Sequence, residues 1–179
     1  MRIWVPLAAA VTGLCLVVEV TVQQGYRSAL NDPQIQLAED TAALAANGID
    51  PHSLVPPEPI NIARSLAPYL VVYDDAAQPV AASGLLSGVP PQPPPGVFAA
   101  ARAKGENRVS WQPRADVRSA VVVRHFSGEA SGFVLAGRNM REVEAREATL
   151  RRIVLLGWSA LLAGTLAATI AAQAALRWT

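Results

Sequence analysis

Few residues of this chain have the types and spacing that catalysis or metal binding requires. The two histidines, His52 and His125, lie far apart, with no cysteine or carboxylate pattern at metal-ligand spacing around them. The sequence favours a turn role for His52 and a solvated strand-edge position for His125. It contains no phosphate-binding loop, dinucleotide fingerprint, serine elbow or zinc-protease helix motif. We therefore predict no catalytic residues, no metal site and no cofactor, and the sequence does not indicate an enzyme.

Three other features allow a chemical interpretation beside a structural one. Asp74 and Asp75 could act as an acid pair or bind a cation, but neighbouring strand side chains point apart, which favours a hairpin turn. The only cysteine, Cys15, excludes an internal disulfide and lies in an apolar run, where a small packing residue is expected. The proline-rich run 90–95 has the PxxP spacing of recognition motifs, and the sequence favours a stiff spacer.

Two apolar runs determine the organisation of the chain. Residues 153–176 carry no charge, and residues 3–18 carry none before Glu19. About 20 helical residues cross a hydrocarbon core of roughly 30 Å. The sequence therefore predicts transmembrane helices at residues 1–22 and 153–176, separated by a domain at residues 23–152. The first run lacks the cleavage site of a secretory signal, which favours an uncleaved anchor.

The intervening residues indicate one α+β domain. A juxtamembrane helix is predicted over residues 23–47, with a break at Asn31-Asp32-Pro33. Shorter helices are predicted over residues 60–66 and 96–104. Five strands are predicted at residues 69–73, 79–83, 108–112, 117–126 and 131–138. The simplest assembly is a five-stranded antiparallel sheet over 69–138 with helices on one face.

The end of this domain leads directly into the second apolar run. Asn139 and Glu142 have capping-box spacing and begin a predicted helix over residues 139–152. That helix contains no Pro or Gly and continues into the span. A helix that joins a domain to a membrane in this way can transmit a displacement.

Three segments carry a resemblance to a known family. They are Asn31–Asp40, the strand Tyr69–Asp74 with the following Gln78–Gly84, and Gly132–Arg138 with its Glu-rich helix. In these segments the chain resembles the PAS-like and Cache-type extracytoplasmic sensor domains of bacterial two-component sensor histidine kinases, here without a kinase region. The resemblance implies a five-stranded sheet that binds small molecules beneath its capping loops. It also implies that the terminal helices transmit the change that ligand binding causes in the domain.

The resemblance also supplies an expected location and expected partners. Taken literally, the arginines that flank the two runs would place the middle domain in the cytoplasm. The positive-inside rule is weak for connections longer than ~60 residues, so orientation rests on the family. We expect the bacterial inner membrane, a periplasmic middle domain and cytoplasmic termini. The expected partners are the lipid bilayer, a second copy of the chain or a partner histidine kinase, and a small-molecule ligand. The net charge of +1 argues against nucleic acid.

Candidate functional residues follow from these expectations. Aromatic and cationic groups near strand ends or centres could grip a ring or a carboxylate, and the candidates are Tyr73, Trp111, Arg118 and Arg138. The alternative is that the aromatic residues pack in the core and the arginines are solvated or paired. Small residues at three- or four-residue intervals allow close helix packing between the spans or between protomers. They are Ala9, Gly13, Gly157, Ala160, Gly164 and Ala168.

The sequence thus supports two functions of different classes. The first is a sensory or ligand-binding module that couples the state of its domain to its membrane helices. The alternative is a non-catalytic accessory subunit whose domain docks another protein.

Overall fold

A computed structural model describes residues 4–176 of the chain, except for the side chains of residues 22, 23 and 25–32. In chain order the elements are α1 (Trp4–Ala46), α2 (Pro51–Leu54), β1 (Ile60–Asn61), β2 (Tyr69–Asp74), β3 (Pro79–Ala82), β4 (Gly84–Leu85), α3 (Pro95–Lys104), β5 (Glu106–Arg114), β6 (Val117–Ser127), β7 (Ser131–Asn139) and α4 (Arg141–Ala175). They form two compact units. One comprises Met1–Ser28 with Glu144–Thr179, and the other is Ala29–Val143.

The sheet unit, Ala29–Val143, is built on five antiparallel strands in the order β3-β2-β7-β6-β5. β7 and β6 are central and rich in β-branched or apolar residues, as strands covered on both faces require. The sequence prediction of a five-stranded antiparallel α+β domain is therefore confirmed.

The β2–β3 connection is the turn that the sequence favoured at the paired acids. The Asp74 carboxylate accepts a hydrogen bond from the Gln78 amide at 2.7 Å, and Ala77 takes a positive φ of 58°. Asp75 points away to an ion pair with Arg102, at 2.9 Å. The two acids therefore have separate structural roles.

One face of the sheet, which we call the α1 face, is covered by the end of helix α1. Ala38, Ala42 and Ala45 recur at helical spacing and are buried against it. The sheet residues on this face are Leu70, Val72, Ala81, Val122, Phe126, Val134 and Ala136. Small alanine side chains bring the helix backbone close to the strands.

The end of α1 is fixed by the turn between β6 and β7. The Ala46 carbonyl accepts a hydrogen bond from the Glu129 amide at 2.8 Å. A Cβ at the neighbouring Gly128 would lie 2.4 Å from that carbonyl oxygen. Only glycine therefore allows this approach without a shift of the backbone.

The opposite face, which we call the aromatic face, is covered by α3 and by the segment that follows β1. Phe98 and Ala101 of α3 and Ile62 after β1 are buried there. The sheet residues on this face are Tyr69, Val71, Tyr73, Val117, Val121, Val123, Phe133 and Leu135. The two faces carry separate clusters of buried side chains, because successive strand residues point to opposite sides.

Three expectations about helices are corrected. Helices cover both faces of the sheet, since α1 and α3 pack on opposite sides. Residues 60–66 form no helix: Ile60 and Asn61 pair in parallel with Gly84 and Leu85 instead. The chain does not break at Asn31-Asp32-Pro33, because α1 continues through Pro33. An interior proline costs a helix about 3 kcal/mol through a lost hydrogen bond and a ring clash. The burial of Ala38, Ala42 and Ala45 after it favours the continuous helix. The capping side chains of Asn31 and Asp32 lie outside the described residues.

The other unit contains the two apolar helical segments. Trp4–Thr21 of α1 and the apolar part of α4 are long and apolar enough to cross a membrane, and neither window is buried. The sheet unit lies between them in the sequence. The Trp158 indole Nε1 donates a hydrogen bond to Thr12 Oγ1 at 3.0 Å, which links the two helices.

Candidate functional site

The two aromatic candidates, Tyr73 and Trp111, lie on the aromatic face but do not meet. Tyr73 is buried, donates its hydroxyl hydrogen bond to the Pro91 carbonyl and packs edge-on against Phe98 at 4.9 Å between ring centroids. Burial raises the pKa of the Tyr73 phenol. Trp111 is half-buried on the edge strand β5. Three strand spacings, roughly 14 Å, separate β2 from β5.

The Tyr73 hydrogen bond also decides the role of the proline-rich run. Pro91 and Pro93 are buried, and Pro94 is the residue that precedes the first turn of α3. The run therefore packs as part of the domain, and the expectation of a stiff spacer is wrong.

The two cationic candidates, Arg118 and Arg138, are set apart from the aromatic pair. Strand alternation directs them away from the aromatic face, since Val117, Ser119 and Asn139 beside them are buried on it. Arg118 is exposed, whereas Arg138 is half-buried and donates to the Leu66 carbonyl at 3.2 Å. The four candidates do not form one pocket.

The aromatic face instead carries a buried polar pair that the sequence analysis missed. The hydroxyls of Tyr69 and Ser119 are buried, and neither has a hydrogen-bond partner of acceptable geometry among the described residues. Burial raises the pKa of Tyr69 to about 12, and Ser119, whose hydroxyl is close enough to donate to an ionised Tyr69, partly opposes that rise. A buried hydroxyl without a partner has a desolvation cost that a bound polar group would relieve.

Two glycines leave the space that the Tyr69 ring occupies. A Cβ at Gly137 would lie 2.4 Å from Tyr69 Cζ, and one at Gly84 would lie 2.7 Å from the same side chain. The Tyr69 ring therefore fills the space that a larger residue at position 84 or 137 would need. Ser119 had a sequence signal of its own, because it is a polar residue at an inward position of a strand otherwise rich in valine.

Beside this pair lies a contact between the segment covering the aromatic face and the beginning of α4. Asn139 is buried, and its Nδ2 donates to the Ile62 carbonyl at 2.8 Å. Its Oδ1 accepts from the Arg141 amide at 2.8 Å and so caps the helix. One side chain thus joins the covering segment to the first turn of α4.

Two arginines extend the same contact. Arg138 Nε reaches the Leu66 carbonyl at 3.2 Å, and Arg141 Nη2 reaches the Arg64 carbonyl at 3.2 Å. Together with Asn139 they bind three carbonyls of residues 62–66. We call these three side chains and that segment the junction.

The other end of the aromatic face has a charged cluster. Arg102 lies over the Phe133 ring at 4.9 Å while it pairs with Asp75. The His125 ring lies 5.1 Å from the Phe133 ring, and its Nε2 is 4.0 Å from Asp75 Oδ1. The expectation of a solvated edge position for His125 is wrong, because β6 is an interior strand and the side chain is only 20% exposed.

The remaining chemistry is sparse. Within the described residues, no three His, Cys, Asp or Glu side chains lie together in a way that could hold a metal ion. His52 lies in the first turn of α2, where its amide donates to the capping Asp50 at 3.1 Å.

The small residues proposed for helix packing are exposed on α1 and α4. A Cβ added at Gly13, Gly157 or Gly164 would meet no atom of the described chain within 4 Å. Ala9, Ala160 and Ala168 are exposed as well. The described link between the two helices, Trp158 to Thr12, is made by other residues. The sequence allows packing between the two spans or packing between protomers. Because these positions are exposed, packing between protomers stays a prediction.

Comparison with known proteins gives no family for this chain: no family model, no curated protein and no solved structure matches it.

Proposed function

We propose that the chain is a membrane-anchored sensory or ligand-binding module of the bacterial inner membrane, with its sheet unit in the periplasm and both termini in the cytoplasm. The five-stranded antiparallel sheet, followed directly by a long helix, agrees with the resemblance to PAS-like and Cache-type sensor domains. The aromatic face is the responsive surface, and α4 is the output element.

The observation that carries this proposal is the double role of Asn139. Its side chain binds both the Ile62 carbonyl and the Arg141 amide. A movement of the segment 62–66 therefore changes the cap of α4. Since a helix cap contributes about 1 kcal/mol, a change there alters the stability of the first helical turn.

The buried hydroxyls supply a means of coupling to a ligand. In the β-ladder Ser119 lies directly opposite Asn139, so the polar pair and the junction are neighbours. A small polar molecule that bonded Tyr69 and Ser119 would enter beneath the segment that Asn139 holds. A displaced segment would weaken the Asn139 bonds and loosen the beginning of α4.

Thermal shift of the full chain in mild detergent tests ligand binding. The probes are amino acids, small carboxylates, sugars and polyols, and a true ligand at 100 times its Kd adds about 2.7 kcal/mol of stability. Ser119→Ala should keep the fold and lose the response, because the removed hydroxyl makes no hydrogen bond of acceptable geometry with the part of the chain that the structure describes. Ser110→Ala, on an exposed strand position, is the matched control. No stabilisation by any probe, with a stable co-purifying membrane protein, would favour the docking alternative instead.

Hydrogen exchange of the α4 amides tests the coupling step. Asn139→Ala should accelerate exchange in the first turn of α4 about fivefold, the equivalent of a lost cap. Asn107→Ala is the control, because Asn107 Nδ2 also donates to a distant carbonyl, that of Val97, but does not touch α4. If both variants accelerated exchange in the first turn of α4 equally, the junction would not couple the segment 62–66 to α4.

Reporter fusions test the orientation. A fusion within residues 90–95 should report the periplasm and a fusion after Thr179 the cytoplasm. A cytoplasmic signal from the loop would contradict the exported domain.

A further inference from the structure

A groove between the two apolar helices has charged walls at one end and apolar walls at the other, which matches the polar headgroup and apolar chains of a phospholipid. Its main cavity is about 540 Å³, within the range of ligand pockets. Val18 and Glu19 line it from α1, and the charged residues that line it from α4 are Glu144, Glu147, Arg151 and Arg152, beside the apolar Val154. Of these, Glu144 has an interaction partner within the chain. A smaller cavity of about 230 Å³, beside Trp158, shares the Glu19, Val154 and Leu155 walls.

The groove crosses the level at which the predicted span begins. Glu147 and Arg151 precede residue 153, whereas Val154, Leu155 and Trp158 lie within the uncharged run. A molecule that filled it would have a polar part beside the charges and an apolar part towards Trp158. This is the arrangement of a lipid headgroup and the first part of its acyl chains.

The charges on the walls identify the headgroup. Among the described side chains, no ion pair joins Glu19, Glu147, Arg151 or Arg152 to another residue. A carboxylate near hydrocarbon is costly without a cationic partner, and an arginine at the interface binds phosphate well. A headgroup that carries both a phosphate and an ammonium satisfies both signs at once.

We propose that this groove binds an aminophospholipid of the phosphatidylethanolamine type, with its phosphate on Arg151 and Arg152 and its ammonium on Glu19 and Glu147. A primary ammonium has three N–H donors for carboxylates, whereas a quaternary choline has none. A purely anionic headgroup would place its charge beside the carboxylates. The proposal is independent of the sensory function.

Native mass spectrometry of the full chain tests the proposal. The protein is reconstituted with equal amounts of ethanolamine, choline and glycerol phospholipids of identical acyl chains and then transferred to mild detergent. The ethanolamine lipid should be retained about threefold more than either other lipid, as expected for partly exposed charge pairs. Equal retention of all three, or an excess of the glycerol lipid, would overturn the proposal.

Variants locate the site. Glu147→Gln should abolish the preference for the ethanolamine lipid over the choline lipid, and Glu19→Gln should do the same. Arg146→Gln is the matched control, because Arg146 is an exposed charge on the same helix that does not line the groove, and it should leave the preference intact. If Glu19→Gln impairs insertion, quenching of Trp158 fluorescence by brominated ethanolamine lipid, with and without Glu147→Gln, gives the same comparison. Unchanged quenching in Glu147→Gln would contradict the assignment.

Discussion

The two faces of the sheet are buried to a similar degree but are built differently. On the α1 face, alanines pack against valine, leucine and alanine, so that helix and strands approach closely. On the aromatic face, tyrosine and phenylalanine rings leave the hydroxyls of Tyr69 and Ser119 without a hydrogen bond of acceptable geometry to any described residue. The first face gains stability from close packing. The second combines large apolar contacts with polar atoms that a ligand could satisfy, so we assign function to it.

The largest expected effect is the loss of an aromatic anchor. Phe133→Ala should lower the free energy of unfolding by about 3–5 kcal/mol, because the ring contacts Phe98, at 5.2 Å between centroids, and lies under Arg102. Val134→Ala, the next residue but on the α1 face, should cost about 2 kcal/mol. Denaturant unfolding of the full chain in detergent measures both. Equal losses would show that the two faces do not differ in this way.

Overpacking should be the weakness of the α1 face. Ala42→Leu should destabilise the sheet unit by about 1–3 kcal/mol, because Ala42 is only 4% exposed against the strands. Ala43→Leu makes the same change at an exposed position of the same helix and should be nearly neutral. The difference in melting temperature between these variants measures the closeness of the packing. An unchanged melting temperature in Ala42→Leu would mean that the α1 face contains unfilled space.

The two buried tyrosines of β2 give a finer comparison within the aromatic face. Tyr73→Phe should cost about 1 kcal/mol, because it leaves the buried Pro91 carbonyl without its donor. Tyr69→Phe should be close to neutral, because the Tyr69 hydroxyl makes no hydrogen bond of acceptable geometry with any described residue. A loss in Tyr69→Phe as large as in Tyr73→Phe would show that the Tyr69 hydroxyl is bonded in solution, and the candidate ligand contact would be withdrawn.

A further expected effect, confined to alkaline pH, is a decline in stability caused by the raised pKa of Tyr69. The Tyr69 pKa is raised from 10.0 in the unfolded chain to about 12 in the fold. Between these values the unfolded state has lost the proton that the folded state keeps, so the stabilising contribution present below pH 10 declines as pH rises towards 12. Tyr69→Phe should show a shallower decline than the wild-type chain in melting temperatures measured from pH 9 to 12. Parallel curves would contradict the raised pKa.

The strands were predictable because their signals are local. Tyr69–Tyr73 and Val117–Phe126 are rich in β-branched and aromatic residues, and turn residues separate the hairpins, so the predicted bounds lie within one or two residues of β2 and β6. The parallel pair of Ile60–Asn61 with Gly84–Leu85 was not predictable, since each partner has only two residues and no periodicity. The sequence predicts a break at Asn31-Asp32-Pro33 with Pro33 at the first position of a new helix, but the packing of the three alanines after it stabilises one continuous helix.

The candidate site was less predictable than the fold. Side-chain types suggested Tyr73, Trp111, Arg118 and Arg138, yet strand order and alternation separate them. Only the inward position of Ser119 could have directed attention to the buried polar pair.

By itself the sequence determined two uncharged apolar runs, five strands and the helix that follows Asn139, because hydropathy, alternation and capping act over a few residues. The tertiary structure alone decided which distant groups meet. Asn139 and Ile62 are 77 residues apart and share a hydrogen bond only because β7 lies beside the covered end of the aromatic face. Such contacts depend on strand order and on which face each helix covers, and neither is encoded in any short stretch of residues.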